Sequence, residues 1–164
     1  MIIYVKNKHT LKVDDFKFKC CVGKKGISRK KIEGDLKTPM GIFKLGPLFF
    51  REDKIKKPVT NLKSIKIKKK MGWCNDLKSK KFYNKLISTR QNLKHEKLFR
   101  KDYKYNLFIP IFYNYKKNIL GKGSCIFLHL TKNYKPTAGC IAIKENDFFI
   151  LLRLINHKTK IKIT

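Results

Sequence analysis

Acidic residues are scarce in this chain. Asp and Glu number 11 against 41 Lys and Arg, a formal net charge of +30 over 164 residues. Alanine occurs only at Ala138 and Ala142, and arginine only at Arg29, Arg51, Arg90, Arg100 and Arg153. A positive field of this size suits a polyanion: nucleic acid, anionic glycan or an anionic membrane face. The residue choice points elsewhere. Lys, Ile and Asn in place of Arg and Ala is what an AT-rich genome writes onto solvated surfaces, whereas nucleic-acid readers favour Arg for bidentate contacts. No specific nucleic-acid partner is expected.

Long apolar runs are also missing. No stretch approaches the roughly 18 residues of a membrane span. The opening Met1-Ile2-Ile3-Tyr4-Val5-Lys6 is too short for a secretory apolar region, and no small-residue cleavage site follows. As written, the chain is expected in the cytoplasm, with the cell envelope as the alternative. The 5 cysteines (Cys20, Cys21, Cys74, Cys125 and Cys140) include no CxxC pair and no Cys/His cluster at zinc spacing, so no metal, cofactor or disulfide framework is expected. The length fits one domain over residues 1–164, large enough to bury about two thirds of its unfolded surface without such staples.

What is present is a series of short alternating or apolar runs. Ile2–Val5 and Asp15–Val22 read as strands, the second with Phe16, Phe18 and Cys20 facing one way. Gly23–Leu36 reads as loop, Ile42–Leu45 as a short strand ended by Gly46-Pro47, and Asn61–Lys69 as a strand. Met71–Arg100 reads as loop, with a short helix over Asn84–Ile87. Tyr105–Tyr113 is an aromatic strand in which Pro110 marks an edge or a bulge. Ser124–Leu130 is apolar throughout, the pattern of a central strand buried on both faces. Cys140–Ile143 and Lys158–Thr164 complete the strands. Glu145–Ile155 is the one helix, with Asn146 as its expected cap. The expected fold class is therefore β-rich α+β.

His129 falls inside the buried run, where each ring nitrogen needs a partner. Cys140 follows Pro136-Thr137-Ala138-Gly139, and Gly139 lets backbone N–H groups align. Aligned amides favour thiolate, an imidazole can take the thiol proton, and the same amides can hold an oxyanion. Residue types alone leave two readings open: a Cys–His acyl-transfer site, or a satisfied core histidine beside a packed cysteine.

Gly121–His129 followed by Tyr134–Ile143 resembles the active-site segment of L,D-transpeptidase catalytic domains of the YkuD type. Lys31–Phe43 resembles that family's EGDxxTPxGxF segment, and Gly72–Asp76 with His95-Glu96 resembles a short, single-domain branch. The likeness runs in order along nearly the whole chain. It departs at Ala138, where many relatives carry His, at Ala142, where many carry Asn or Arg, and in a shorter His-to-Cys interval.

The resemblance implies a mixed β-sheet sandwich or barrel-like core with one C-terminal helix packed on it. It implies Cys140 as nucleophile, His129 as base oriented by backbone around Gly139, and the amides of Ala138, Gly139 and Cys140 as oxyanion donors. Glu33, Asp35 and Thr38 line the donor groove by analogy, or form a tight turn with no further role. Trp73 and Asp76 shape the pocket wall, or are a core tryptophan and a loop aspartate. His95 and Glu96, facing opposite ways on a strand, position an amine or are solvated. Thr137 and Ala138 flank the cysteine.

The implied partner is a peptidoglycan stem peptide or muropeptide. The implied reaction cleaves between its third-position diamino acid and terminal D-Ala through a thioester, then passes the acyl group to an amine. Water as acceptor makes an L,D-carboxypeptidase of it. A basic, non-catalytic polyanion- or glycan-binding module is the alternative from a different class.

Overall fold

A computed structural model describes residues 1–164. The chain opens with β1 (Ile2–Lys6), β2 (Thr10–Val13) and β3 (Phe16–Lys19). Asn7 and Lys8, at φ 54° and 62°, lie in the three-residue turn 7–9 that joins β1 to β2, with Lys6 paired to Thr10. Next come β4 (Ile27–Ser28), β5 (Thr38–Pro39), β6 (Gly41–Lys44), β7 (Leu48–Phe50) and β8 (Ser64–Lys66). The segment β9 (Met71–Cys74), β10 (Leu86–Ser88) and β11 (His95–Lys97) precedes β12 (Leu107–Pro110) and β13 (Phe127–Leu130). The chain ends with β14 (Ile141–Ile143), α1 (Glu145–Leu154) and β15 (Lys160–Ile163).

Two five-stranded sheets carry the architecture: β3-β2-β1-β15-β6 and β14-β13-β12-β7-β8. A three-stranded sheet, β10-β9-β11, and the small β4-β5 pair complete it. β1 and β15 run parallel, so the two ends of the chain lie side by side at the middle of one sheet.

In the second large sheet β14, β13, β12 and β7 are buried on both faces, and their alternation sorts two cores. Leu107, Ile109, Leu128, Leu130, Ile141 and Ile143 join Ile3, Val5, Ile161 and the helix residues Phe148, Leu151 and Leu152 in one cluster. The intervening residues Phe108, Phe127 and Cys140 join Phe49, Trp73, Leu98 and Tyr105 in the other. That second cluster is aromatic: Phe49 stacks on Phe108 at 4.7 Å, and Trp73 meets Phe127 edge-on at 5.2 Å. His129 sits opposite Phe108 in the β12–β13 register, so it too faces the aromatic side. The β-rich sandwich with a single late helix agrees with the sequence-based expectation.

Several local expectations need correction. Met71–Arg100 is a sheet, not a loop, and Asn84–Ile87 is not helical: Asn84 adopts φ 57° and Leu86 starts β10. Pairing against neighbouring strands decides this segment, because its own hydrophobic pattern is thin. Pro110 lies on an interior strand, not an edge, but the bulge alternative holds: the register slips by one residue around it, from Phe108 opposite Phe49 to Ile111 opposite Leu45. Asn146 does not cap α1; Lys144 occupies the cap position with no side-chain bond. β2 and β7 are strands that the sequence reading left unassigned. No helix is long and apolar enough to cross a membrane. All five cysteines are free thiols.

Candidate active site

β13 and β14 run parallel and adjacent, with His129 opposite Ala142. Since side chains alternate, Cys140, two residues before Ala142, faces the same side as His129. Both line one cavity of about 630 Å³, together with Glu33, Glu96, Arg100, Tyr105, Ser124, Cys125, Thr137, Ala138 and Gly139.

The histidine is firmly set. Its Nδ1 lies 2.9 Å from the Leu130 carbonyl, which can only accept, so Nδ1 carries the proton and Nε2 keeps its lone pair. Tyr105 packs edge-on against the ring at 5.5 Å. Burial is the main cause that brings the imidazole pKa down to about 4; the Leu130 carbonyl opposes this, and Lys104 and Arg100 push it lower.

Cys140 is equally buried. Its thiol donates to the Cys125 carbonyl at 3.2 Å and accepts the Phe127 N–H at 3.4 Å. Burial pushes it up to about 12, more than the Phe127 N–H lowers it. The expectation that aligned amides favour thiolate is therefore reversed at rest: both partners are neutral. No hydrogen bond joins the sulfur to His129; the thiol is turned toward Cys125.

The cysteine loop is held from behind by the Lys31–Pro39 segment. The Thr38 hydroxyl donates to the Gly139 carbonyl and accepts the Gly23 N–H, both at 2.8 Å. Gly139 has φ +144°, and a Cβ there would meet the Lys37 carbonyl oxygen at 2.8 Å. Only glycine lets the two loops approach this closely. Thr137 closes a small turn: its hydroxyl donates to the Cys140 carbonyl at 2.6 Å and accepts the Gly139 N–H at 3.1 Å. That bond takes Gly139 out of the set of free amides. The Cys140 N–H has no partner within the protein.

The remaining sequence candidates divide. Glu33 faces the cavity and accepts hydrogen bonds from Ser124, at 2.7 Å, and from Tyr83. Asp35 does not line the cavity; it braces its own turn, accepting Lys31 at 2.6 Å, the Lys37 N–H at 2.9 Å and the Ile32 N–H at 2.8 Å. Burial pushes the Asp35 carboxyl up, but Lys31 and the two amides together hold it below its usual range.

Trp73 is core, 3% exposed, and its Nε1 donates to Asn84 at 2.9 Å; it is not a pocket wall. Asp76 is also away from the cavity and ties two loops by accepting the Lys94 N–H at 3.0 Å and the Lys78 N–H at 2.9 Å. His95 and Glu96 do face opposite ways. His95 covers Gly72 and contacts the Leu93 carbonyl at 2.7 Å, while Glu96 lines the cavity, bonded to Arg100 and Tyr105 at 3.0 Å each.

Sequence reasoning passed over Ser124, Tyr83, Asn84, Tyr105 and Arg100. Asn84 uses every polar atom: Oδ1 accepts Trp73 Nε1 and the Cys125 N–H, and Nδ2 donates to the Tyr113 and Asn114 carbonyls. The one local signal was Phe82-Tyr83-Asn84 interrupting a lysine-rich stretch.

Comparison with known proteins bears on this geometry. The structure is similar to that of the helical cell shape determining protein Pgp2 from Campylobacter jejuni, with TM-score 0.53 and 20% identity over 99% of this chain. A mutant of the same protein gives TM-score 0.50 at the same identity. The chain spans 46% of the length of those structures, and the likeness concerns the fold. No curated protein matches the sequence. The family model for the L,D-transpeptidase catalytic domain, YkuD, matches residues 1–163. With the match running the length of the chain, this protein belongs to the YkuD family of L,D-transpeptidase catalytic domains.

Proposed function

We propose that the chain is one catalytic domain that performs cysteine acyl transfer on peptidoglycan stem tetrapeptides. The observation that carries this reading is the shared cavity: a neutral thiol and an imidazole with a free Nε2 open into the same space. In the proposed reaction, Cys140 gives its proton to His129 Nε2 as sulfur attacks the carbonyl carbon of the third-position residue. This requires the thiol to leave the Cys125 carbonyl when substrate arrives. The resulting oxyanion takes the free Cys140 N–H; Gly139 drops out of the expected donor set because Thr137 engages its N–H. Collapse breaks the C–N bond. His129 returns the proton to the departing D-alanine amine. The thioester on Cys140 is then attacked by an amine, which regenerates the thiol and forms a cross-link.

A neutral resting pair suits this order of events. The charge pair forms only as the proton moves, so stabilisation by the site acts on the transition state rather than on the free enzyme. The test is incubation with a disaccharide tetrapeptide and mass spectrometry of protein and products, with Cys140→Ala alongside. Loss of D-alanine dependent on Cys140, with dimeric muropeptide, is the expected result. Tripeptide alone makes water the acceptor. Neither adduct nor product overturns the enzymatic reading.

A further inference from the structure

Glu33 is unusual among the few carboxylates of this basic chain. The Ser124 and Tyr83 hydroxyls both donate to the same oxygen, Oε2. Oε1 makes no hydrogen bond within the protein. It is not a fully buried orphan, and Glu33 lines the cavity. No Lys or Arg nitrogen lies within 4.0 Å of it: the neighbouring Lys31 is committed to Asp35 at 2.6 Å. Glu96, the other carboxylate on the cavity wall, is already paired with Arg100. Glu33 therefore presents one oriented, unneutralised oxygen to the cavity, its side chain held by two hydroxyls.

Its position relative to the sulfur matters. Ser124, which holds Glu33, directly precedes Cys125, whose carbonyl accepts the Cys140 thiol. The carboxylate is thus anchored one residue from the group that touches the reacting sulfur. A ligand carbonyl at Cys140 would place its own side chain in the surrounding cavity, where a matching cation forms a charge-assisted hydrogen bond.

We propose that Glu33 Oε1 is an ammonium subsite that binds the free side-chain amine of the donor's third-position diamino acid. This rests on the stem-peptide reading above and adds a requirement for a positive charge on that residue. The cavity is also lined by Lys31, Arg100, Lys104 and Lys135; Lys31 pairs with Asp35, Arg100 pairs with Glu96 and Asp102, and none of the four pairs with Glu33.

The experiment measures binding by calorimetry to the Cys140→Ala protein, so that no turnover intervenes. Two ligands are compared: the tetrapeptide with a free side-chain amine, and the same peptide N-acetylated there. Expected is about 10- to 100-fold weaker binding of the acetylated peptide, the range for a hydrogen bond to a charged group. In the Cys140→Ala, Glu33→Gln double variant, whose amide oxygen can still accept from Ser124 and Tyr83, the ratio should collapse toward one. Equal binding of the two peptides by the Glu33 protein, or a ratio unchanged by Glu33→Gln, overturns the subsite alone. Failure of both peptides to bind overturns the stem-peptide reading and the subsite with it. Because the first comparison changes only the ligand, it does not depend on any Glu33 variant folding.

Discussion

The Thr38 hydroxyl bonds the Gly139 carbonyl at 2.8 Å across 101 residues of sequence, while its oxygen accepts the Gly23 N–H. Thr38 is wholly buried and reaches no substrate-facing surface. Its part is to clamp the peptide that leads into Cys140 against the Lys31–Pro39 segment. The groove motif and the cysteine motif are thus one mechanical unit.

Removing that clamp should cost both stability and turnover. Thr38→Val leaves a buried carbonyl and a buried N–H without partners, each at about 1–3 kcal/mol. The urea midpoint should fall accordingly, and kcat should fall with little change in KM. Thr38→Ser keeps both bonds and should restore most of each. A Val variant with wild-type midpoint and rate would remove the clamp from the account.

Gly139→Ala tests the same contact sterically. The added Cβ would meet the Lys37 carbonyl oxygen at 2.8 Å, at a φ of +144°. Strain of this kind costs about 1–3 kcal/mol, and relieving it must move the cysteine loop. Thermal unfolding should drop by several degrees, and acylation of Cys140 should slow. Wild-type acylation in a stable Ala variant would contradict the close approach.

Asn84→Asp should destabilise more than its size suggests. It replaces the Nδ2 donor, which faces the Tyr113 and Asn114 carbonyls at 2.9 and 2.8 Å, with an acceptor. Two part-buried carbonyls then face an oxygen, and a loss of about 2 kcal/mol or more is expected. Denaturant unfolding measures it. Because Asn84 also holds the Cys125 N–H, the reactivity of Cys140 toward an alkylating probe should change with it.

The pH dependence follows from the two neutral partners. His129 is lowered by burial from 6.5 to about 4, so the folded state binds this proton less readily than the unfolded state. Its contribution is full above pH 6.5 and is lost as pH falls through about 4, worth about 3 kcal/mol at most. Cys140 is raised by burial from 9.0 to about 12, so stability falls as pH rises above 9. Urea midpoints across pH should therefore decline on both sides of a neutral plateau. In kcat/KM the acidic limb should lie near pH 4; a limb centred at the ordinary histidine value would mean that His129 is not the base in its buried state.

Much of the frame was legible. The continuous apolar run ending at Leu130 marked an interior strand, and Phe148, Leu151 and Leu152 marked the buried face of the helix, because these periodicities are imposed by burial itself. The turn around Gly139 and the strand placement of His129 were visible as residue types at positions where backbone freedom and burial have consequences. The three strands between Met71 and Lys97 were not legible. Each is only three or four residues long, and they are held by pairing β10 and β11 on either side of β9, whose Trp73 enters the aromatic cluster, rather than by local preference.

The site divides in the same way. The sequence alone determined which residues could supply chemistry: a thiol after a glycine turn, an imidazole in a buried run, and a short list of carboxylates in a chain otherwise crowded with lysine. Only the tertiary structure decided which of them meet. It sent Trp73, Asp35, Asp76 and His95 to structural duties, turned Glu33 and Glu96 into one cavity, and neutralised Cys140 and His129 at rest. The reason is that facing, burial and hydrogen-bond supply come from strands distant in sequence. A carboxylate's role depends on whether a remote hydroxyl, amide or cation is already bound to it.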